Sequence, residues 1–123
     1  MEMKLELVIV PVSDVERAKS FYADKVGFNA DQDHTVKPGL RFVQLTPSGS
    51  GCSIAIGEGL TEMKPGSLKG LQMVVKDARA ARELLIKNGV DASEVVDMPW
   101  GSFTYFADPD GNTWSVQQLP PRP

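Results

Sequence analysis

Residues 5 to 12, Leu-Glu-Leu-Val-Ile-Val-Pro-Val, are rich in β-branched side chains that suit a pleated, half-buried surface, and they predict a strand. Ser13-Asp14-Val15-Glu16 follows directly, a serine with glutamate three positions on, which is the pattern of a capped helix start. Ala18, Phe21, Tyr22 and Val26 then recur on one helical face, and Gly27 supplies the stop. The pattern describes an amphipathic helix laid on a sheet. It returns in the second half, where Leu71-Gln72-Met73-Val74-Val75 reads as a strand and Asp77 as a cap. Ala78, Ala81, Leu84 and Leu85 form the apolar face of a helix that ends at Asn88-Gly89.

The repetition extends past the helices. Thr46-Pro47-Ser48-Gly49, then Ser53-Ile54, matches Asp108-Pro109-Asp110-Gly111, then Ser115-Val116, at an offset of 62, while Asp14 matches Asp77 at an offset of 63. Two independent landmarks at nearly one offset imply duplication of a whole unit. Each half reads as strand, helix and three further strands, a βαβββ module. The modules cover about 4–57 and 69–118, with a linker at 58–68 and a tail at 119–123 that includes Pro120 to Pro123. Residues 29–39, rich in Gly, Pro, Asp and Lys, read as loop. The length and the 41% hydrophobic content fit one domain over residues 1–123, of α+β class.

Thirteen basic residues against sixteen acidic give a formal charge of -3, with no Lys or Arg run to grip phosphates, so nucleic acid is not an expected partner. The longest apolar stretch, Leu7 to Val12, is far short of the roughly 20 residues a bilayer span needs. The start, Met1-Glu2-Met3-Lys4, lacks a signal-peptide pattern, and the expected location is the cytoplasm. One cysteine, Cys52, excludes a disulfide framework and is expected to behave as a small core hydrophobe.

Two segments carry a specific likeness: Pro11-Val12-Ser13-Asp14-Val15-Glu16-Arg17-Ala18-Lys19-Ser20-Phe21-Tyr22, closing on Val26-Gly27-Phe28, and Phe106-Ala107-Asp108-Pro109-Asp110-Gly111-Asn112-Thr113-Trp114. In order, on a duplicated frame, they resemble the signatures of the vicinal-oxygen-chelate superfamily, which includes glyoxalase I, extradiol dioxygenases and bleomycin-resistance proteins. The resemblance implies two tandem βαβββ modules curled into a U-shaped, partly open mixed barrel that holds its ligand on the concave face, and a homodimer. The signature residues themselves read as structural. Asp108 to Asn112 suits a tight turn, and Phe21 and Tyr22 suit the cover between helix and sheet.

Metal-dependent members place ligands at corresponding positions of the first and last strand of each module. Counting from the matching aspartates and the final turn, these fall on Leu7, Gly70, Ser53 and Ser115, none of which offers imidazole, carboxylate or amide oxygen. A two-histidine, one-carboxylate site needs a second histidine beside His34, the one in the chain. A one-residue slip would bring in Glu6 but would turn Leu7, Ile9 and Pro11 to the opposite face. His34, within Asp31-Gln32-Asp33-His34, reads as a solvated loop residue. No metal or other cofactor is expected.

Alternation along the strands places Leu7, Ile9, Ser53, Ala55, Gly70, Gln72, Val74, Thr113, Ser115 and Gln117 on the concave face, and Ile54, Ile56, Trp114 and Val116 toward the helices. The result is an apolar trough with neutral polar groups. Trp100, in the turn-rich run Asp97-Met98-Pro99-Trp100-Gly101-Ser102, is a candidate for its mouth. Phe42, Met73, Met98, Phe103 and Tyr105 are further candidates, with the parity of 41–45 and 103–107 open. The expected ligand-binding set is Gln72, Trp100, Tyr105, Ser115, Gln117 and Phe42, for an aromatic or apolar organic molecule. Two readings stand: a module that binds or sequesters a small molecule without metal, and a lyase, isomerase or dioxygenase of atypical or metal-free chemistry. For the second, Tyr105, Asp97, Glu58 and Glu94 are the available acids and bases, and no catalytic residue is assigned.

Overall fold

The computed structural model describes residues 1–121; Arg122 and Pro123, in the expected tail, lie outside the described residues. Strand β1 (Leu7–Ile9) leads into helix α1 (Val15–Ser20), which widens into a π-helical turn over Phe21–Val26. Strands β2 (Asn29–Lys37), β3 (Leu40–Thr46) and β4 (Ser53–Glu58) follow. After 59–70, which carry no helix or strand, come β5 (Leu71–Val75), α2 (Ala78–Lys87), β6 (Val96–Met98), β7 (Gly101–Ala107) and β8 (Thr113–Gln118). They build two open, mixed sheets of identical plan, ordered β1-β4-β3-β2 and β5-β8-β7-β6. In each, the first strand runs parallel beside the last and the other pairs are antiparallel. The α+β class and the twofold βαβββ plan are those the sequence implies. Among the described residues no helix is long and apolar enough to cross a membrane.

Four local readings are corrected. Residues 29–37 are a strand and not a loop: β2 is an edge strand exposed along its whole length, so no buried face imprints a period on its sequence. The first helix is capped by Asp14, whose carboxylate accepts from the Arg17 N–H at 3.1 Å, while Ser13 turns away to bond Asp110 through its N–H (3.1 Å) and hydroxyl (2.6 Å). Leu84 is 57% exposed, because the face that meets the sheet runs through Ala78, Ala81 and Leu85. Cys52 is only half-buried at the entry to β4.

One apolar core joins both modules. Val10, Val43, Leu45, Ile54 and Ile56 of the first half meet Phe106, Trp114 and Val116 of the second, with Ala18, Phe21, Tyr22 and Leu85 from the helices. Trp114 is 4% exposed and stacks on Phe106, with ring centroids 5.9 Å apart, as the alternation requires.

The Asp108–Asn112 turn is also a clasp between modules. Asp108 Oδ1 accepts from the N–H groups of Asp110 and Asn112, both at 3.0 Å, and this closes the turn. Its Oδ2 accepts from the Tyr22 hydroxyl (2.7 Å) and from Asn112 Nδ2 (2.8 Å). Asn112 Nδ2 also donates to the Pro11 carbonyl (2.8 Å), and its Oδ1 accepts from the Leu68 N–H (3.1 Å). Trp114 Nε1 donates to the Tyr22 oxygen at 2.9 Å. Burial, reinforced by the Asp108 charge, pushes the Tyr22 phenol far above its ordinary pKa and keeps it a hydrogen-bond donor.

Candidate functional site

Each sheet has one face against the core and one free of helices. On β5, Leu71, Met73 and Val75 pack toward the core, while Gln72 and Val74 are exposed on the other side. The register Gln72↔Ser115, Val74↔Gln117, Tyr105↔Ser115 and Phe103↔Gln117 carries that free face across the second sheet and fixes the parity the sequence left open. Phe103 and Tyr105 lie on it with parallel rings 6.1 Å apart. Val96 and Met98 of β6 follow, opposite Phe103 and Gly101.

The polar groups of this face form a ladder. The Ser115 hydroxyl donates to Gln72 Oε1 (3.0 Å), Gln72 Nε2 to Gln117 Oε1 (2.6 Å), and Gln117 Nε2 to the Trp100 carbonyl (2.8 Å). Trp100 occupies the β6–β7 turn and is 58% exposed. Gly101, at φ 143°, lets that turn approach β8: a Cβ there would lie 2.6 Å from the Gln118 carbonyl oxygen. Five of the six expected residues, Gln72, Trp100, Tyr105, Ser115 and Gln117, thus belong to the second sheet or its turn.

Phe42 stands on the first sheet, whose free face also carries Gln44, Thr46, Ser53 and Ala55. Strand β2 adds Gln32 opposite Gln44 and His34 opposite Phe42, so His34 belongs to this face and not to a loop. Here too the polar groups are linked. The Thr46 and Ser53 hydroxyl oxygens are 2.6 Å apart, Gln44 Nε2 donates to Ser53 Oγ at 3.3 Å, and the Thr46 hydroxyl donates to the Asp31 carboxylate. Sequence reasoning missed Asp31, Gln44 and Thr46; once β2 is read as loop, nothing places Asp31 against β3. Ser53 and Gln72 line one cleft of about 270 Å³ where the two sheets approach. A cleft of about 600 Å³ lies elsewhere, between the end of β1, the start of α1 and the 57–65 connection, and none of the six residues lines it.

Residues 4–116 match the model of the Glyoxalase/Bleomycin resistance protein/Dioxygenase superfamily. The chain belongs to this superfamily. It is 30% identical over 122 residues to the uncharacterized protein YetH of Bacillus subtilis (strain 168), covering 96% of this chain and 100% of that one. Among solved structures it resembles TnmS3, an antibiotic binding protein from Streptomyces sp. CB03234, with 35% identity, a TM-score of 0.88 and coverage of 97% and 98%. A glyoxalase/bleomycin resistance protein from the same organism matches at 36% identity, TM-score 0.83, with coverage of 94% and 100%.

The superfamily's metal positions can now be read from strand register. Leu7 faces Ser53, and Gln72 faces Ser115, so the fourth position is Gln72 and not Gly70. Counting from the caps slipped because Leu7 precedes Asp14 by seven residues whereas Gln72 precedes Asp77 by five. The set is then a hydrocarbon, two hydroxyls and an amide, and that amide's oxygen is already bonded to Ser115. Divalent first-row metals want imidazole, carboxylate or thiolate donors, and the set does not fit them. Among the described residues no three His, Cys, Asp or Glu side chains come together to hold an ion.

The acid–base candidates are all exposed. The Arg79 guanidinium, paired with Asp97 at 3.0 Å, holds that carboxyl below its usual value, and the Ser102 hydroxyl adds a bond at 2.6 Å. Glu94 pairs with Arg82 at 3.3 Å. A general base poised near neutrality needs the opposite environment, buried and away from cations.

Proposed function

We propose that this superfamily member binds and sequesters a small organic molecule, flat and aromatic or apolar, on the helix-free faces of its sheets, without the superfamily's metal. The observation that carries this reading is the ladder Ser115–Gln72–Gln117–Trp100, whose first two members put a hydroxyl and a neutral amide at positions where a metal site would need anions or imidazoles. Amides fixed by one another orient a ligand's polar edge, while Tyr105, backed by the buried Phe103 ring, and the exposed Trp100 indole offer apolar area for its rings. The likeness to TnmS3, described as antibiotic binding, supports the same class of role. Phe42 supplies an aromatic from the first sheet. The protein acts in the cytoplasm as a homodimer: β1 and β5 each pair on one side only, and a second copy covers such edges.

The test combines metal content by mass spectrometry, melting in the presence of Ni(II), Zn(II), Mn(II) and Fe(II), and titration with the neutral naphthalene dye prodan. The expected result is no stoichiometric metal, no metal-dependent rise in melting temperature and saturable dye binding. One metal per chain, or a clear stabilisation by one of these ions, overturns the reading in favour of a metalloenzyme. A monomeric mass by light scattering overturns the dimer.

A further inference from the structure

The hydrogen-bond ladder on the second sheet has a direction, and its far end sets it. Gln117 Nε2 lies 2.8 Å from the Trp100 carbonyl oxygen, which can only accept. Gln117 is 8% exposed, so its amide is held against that oxygen and not swung into solvent. The close approach is possible because residue 101 is glycine: a Cβ there would lie 3.0 Å from Gln117 Nε2. With its NH2 group committed to Trp100, Gln117 turns Oε1 to Gln72, which must answer with Nε2, at 2.6 Å. That leaves Gln72 Oε1 facing Ser115, whose hydroxyl must donate its single proton, at 3.0 Å. Turning Gln117 over would set its oxygen against the Trp100 carbonyl, and turning Gln72 over would set its oxygen against that of Gln117. The Leu71 carbonyl, 3.5 Å from Ser115 Oγ, is an acceptor too, so either way the hydroxyl proton points into the protein.

The consequence falls at the opposite end. Ser115 Oγ keeps lone pairs but has no proton to offer, and Gln72 Oε1 keeps a second lone pair beside it. Among the described residues no group donates to Ser115 Oγ. Gln72 is exposed and lines the cleft of about 270 Å³ between the sheets, so this pair of acceptors is open to a ligand. We infer that the Trp100 carbonyl, acting through Gln117 and Gln72, makes the Ser115 end of the face an acceptor, so that the ligand is an aromatic with a neutral O–H or N–H at its edge, a phenol or a ring N–H, in preference to the same rings carrying an ether or ketone. The inference rests on the binding reading above and deepens it. An ether or ketone oxygen brought to Ser115 either takes the proton from Gln72 or goes unpaired, and one bond is lost in both cases. A phenol extends the chain instead, and aligned bonds polarise one another, which strengthens the last acceptor. Gln72 Nε2 keeps one hydrogen for an acceptor elsewhere on the ligand; the restriction to donors belongs to the Ser115 end.

The test is displacement of prodan from the full chain by 2-naphthol and by 2-methoxynaphthalene, which share one ring system and differ in that the first alone can donate. It is run on the unaltered chain, Ser115→Ala and Gln117→Met. In the unaltered chain 2-naphthol is expected to displace the dye at about one-tenth the concentration its methyl ether needs. Ser115→Ala should bring that ratio to about one. Gln117→Met leaves Ser115 in place but unties the chain from Trp100, and should reduce the ratio by about threefold or more, because Ser115 is then free to donate. The ratio is the readout and not the affinity for prodan itself, so a variant that holds the dye more weakly is still read. Equal displacement by the two compounds in the unaltered chain overturns the inference, as does a ratio that survives Ser115→Ala. A ratio lost in Ser115→Ala but kept in full in Gln117→Met also overturns it, since Ser115 would then accept without direction from Trp100. Each of these outcomes leaves the binding reading standing, because prodan binds. Failure of prodan and both naphthalenes to bind the unaltered chain removes that reading and the inference together.

Discussion

The two sheets share one strand order and one pairing plan, yet their free faces differ in kind. The first is edged by a nine-residue, wholly exposed strand and carries linked hydroxyls ending at a carboxylate. The second is edged by the three-residue β6 and carries linked amides ending at an exposed indole. Their backs, by contrast, form a single core fastened by one clasp. In a duplicated fold, the side that must pack is held to apolar, interlocking groups. The side that meets solvent can take on separate chemistry in each copy.

Breaking the clasp tests whether the two faces depend on the common back. Asn112→Ala removes the partner of the Leu68 N–H, one of those on Asp108 and the side-chain donor to the Pro11 carbonyl, which keeps only the Gly66 N–H, in a fully buried site. A loss of about 3 kcal/mol or more is expected in urea unfolding. A loss below about 1 kcal/mol would show that packing alone fastens the modules.

The contrast between faces predicts unequal effects on prodan binding. Trp100→Ala should weaken it by about 1.5 kcal/mol, as loss of an aromatic anchor does, and Gln117→Ala by about 1 kcal/mol through loss of the ladder. Phe42→Ala should cost less than either. Equal losses at Phe42 and Trp100 would mean that one ligand spans both sheets and would revise the comparison.

The smallest effects are electrostatic. Hydrogen bonds from Arg41 and then Lys19 hold the Asp33 carboxyl well below its usual pKa. A folded-state pKa below the unfolded value stabilises the protein above about pH 4 and the benefit is lost as pH falls toward the folded value. Asp33→Asn should therefore lower stability by less than about 1 kcal/mol at pH 7 and flatten the acid dependence below pH 4. Asp97→Asn on the second sheet should do less still, since the Asp97–Arg79 pair is more exposed than the Asp33 cluster. Denaturation midpoints between pH 2 and 7 for both variants check the order.

Where one face of an element is buried and the other wet, its sequence carried the answer. Strand β5 alternates between core and free face, Trp114 reads as core, and the Asp14 and Asp77 landmarks both sit at helix starts. Strand β2 has no buried face and left no period to detect. Strands β3 and β7 carry apolar residues on both faces, Phe42 beside Val43 and Tyr105 beside Phe106, so their parity needed the register. The slip from Gln72 to Gly70 came from a connection two residues shorter in the second module, a difference hidden in an otherwise constant offset. Asp31 escaped for a similar reason, because the bulge between Ala30 and Gln32 that turns it to Thr46 is a property of two strands together.

The clasp also bears on how the chain is made. Tyr22 and Pro11 find their buried partners in Asp108, Trp114 and Asn112, which follow them by 86 to 101 residues. During synthesis the first half therefore emerges before Tyr22 and Pro11 have these side-chain partners. Such distant contacts close slowly and late. A nascent chain stopped before residue 108 would present its sticky inner surface to the cell, so the last few strands to leave the ribosome act as the lock that makes the earlier ones safe.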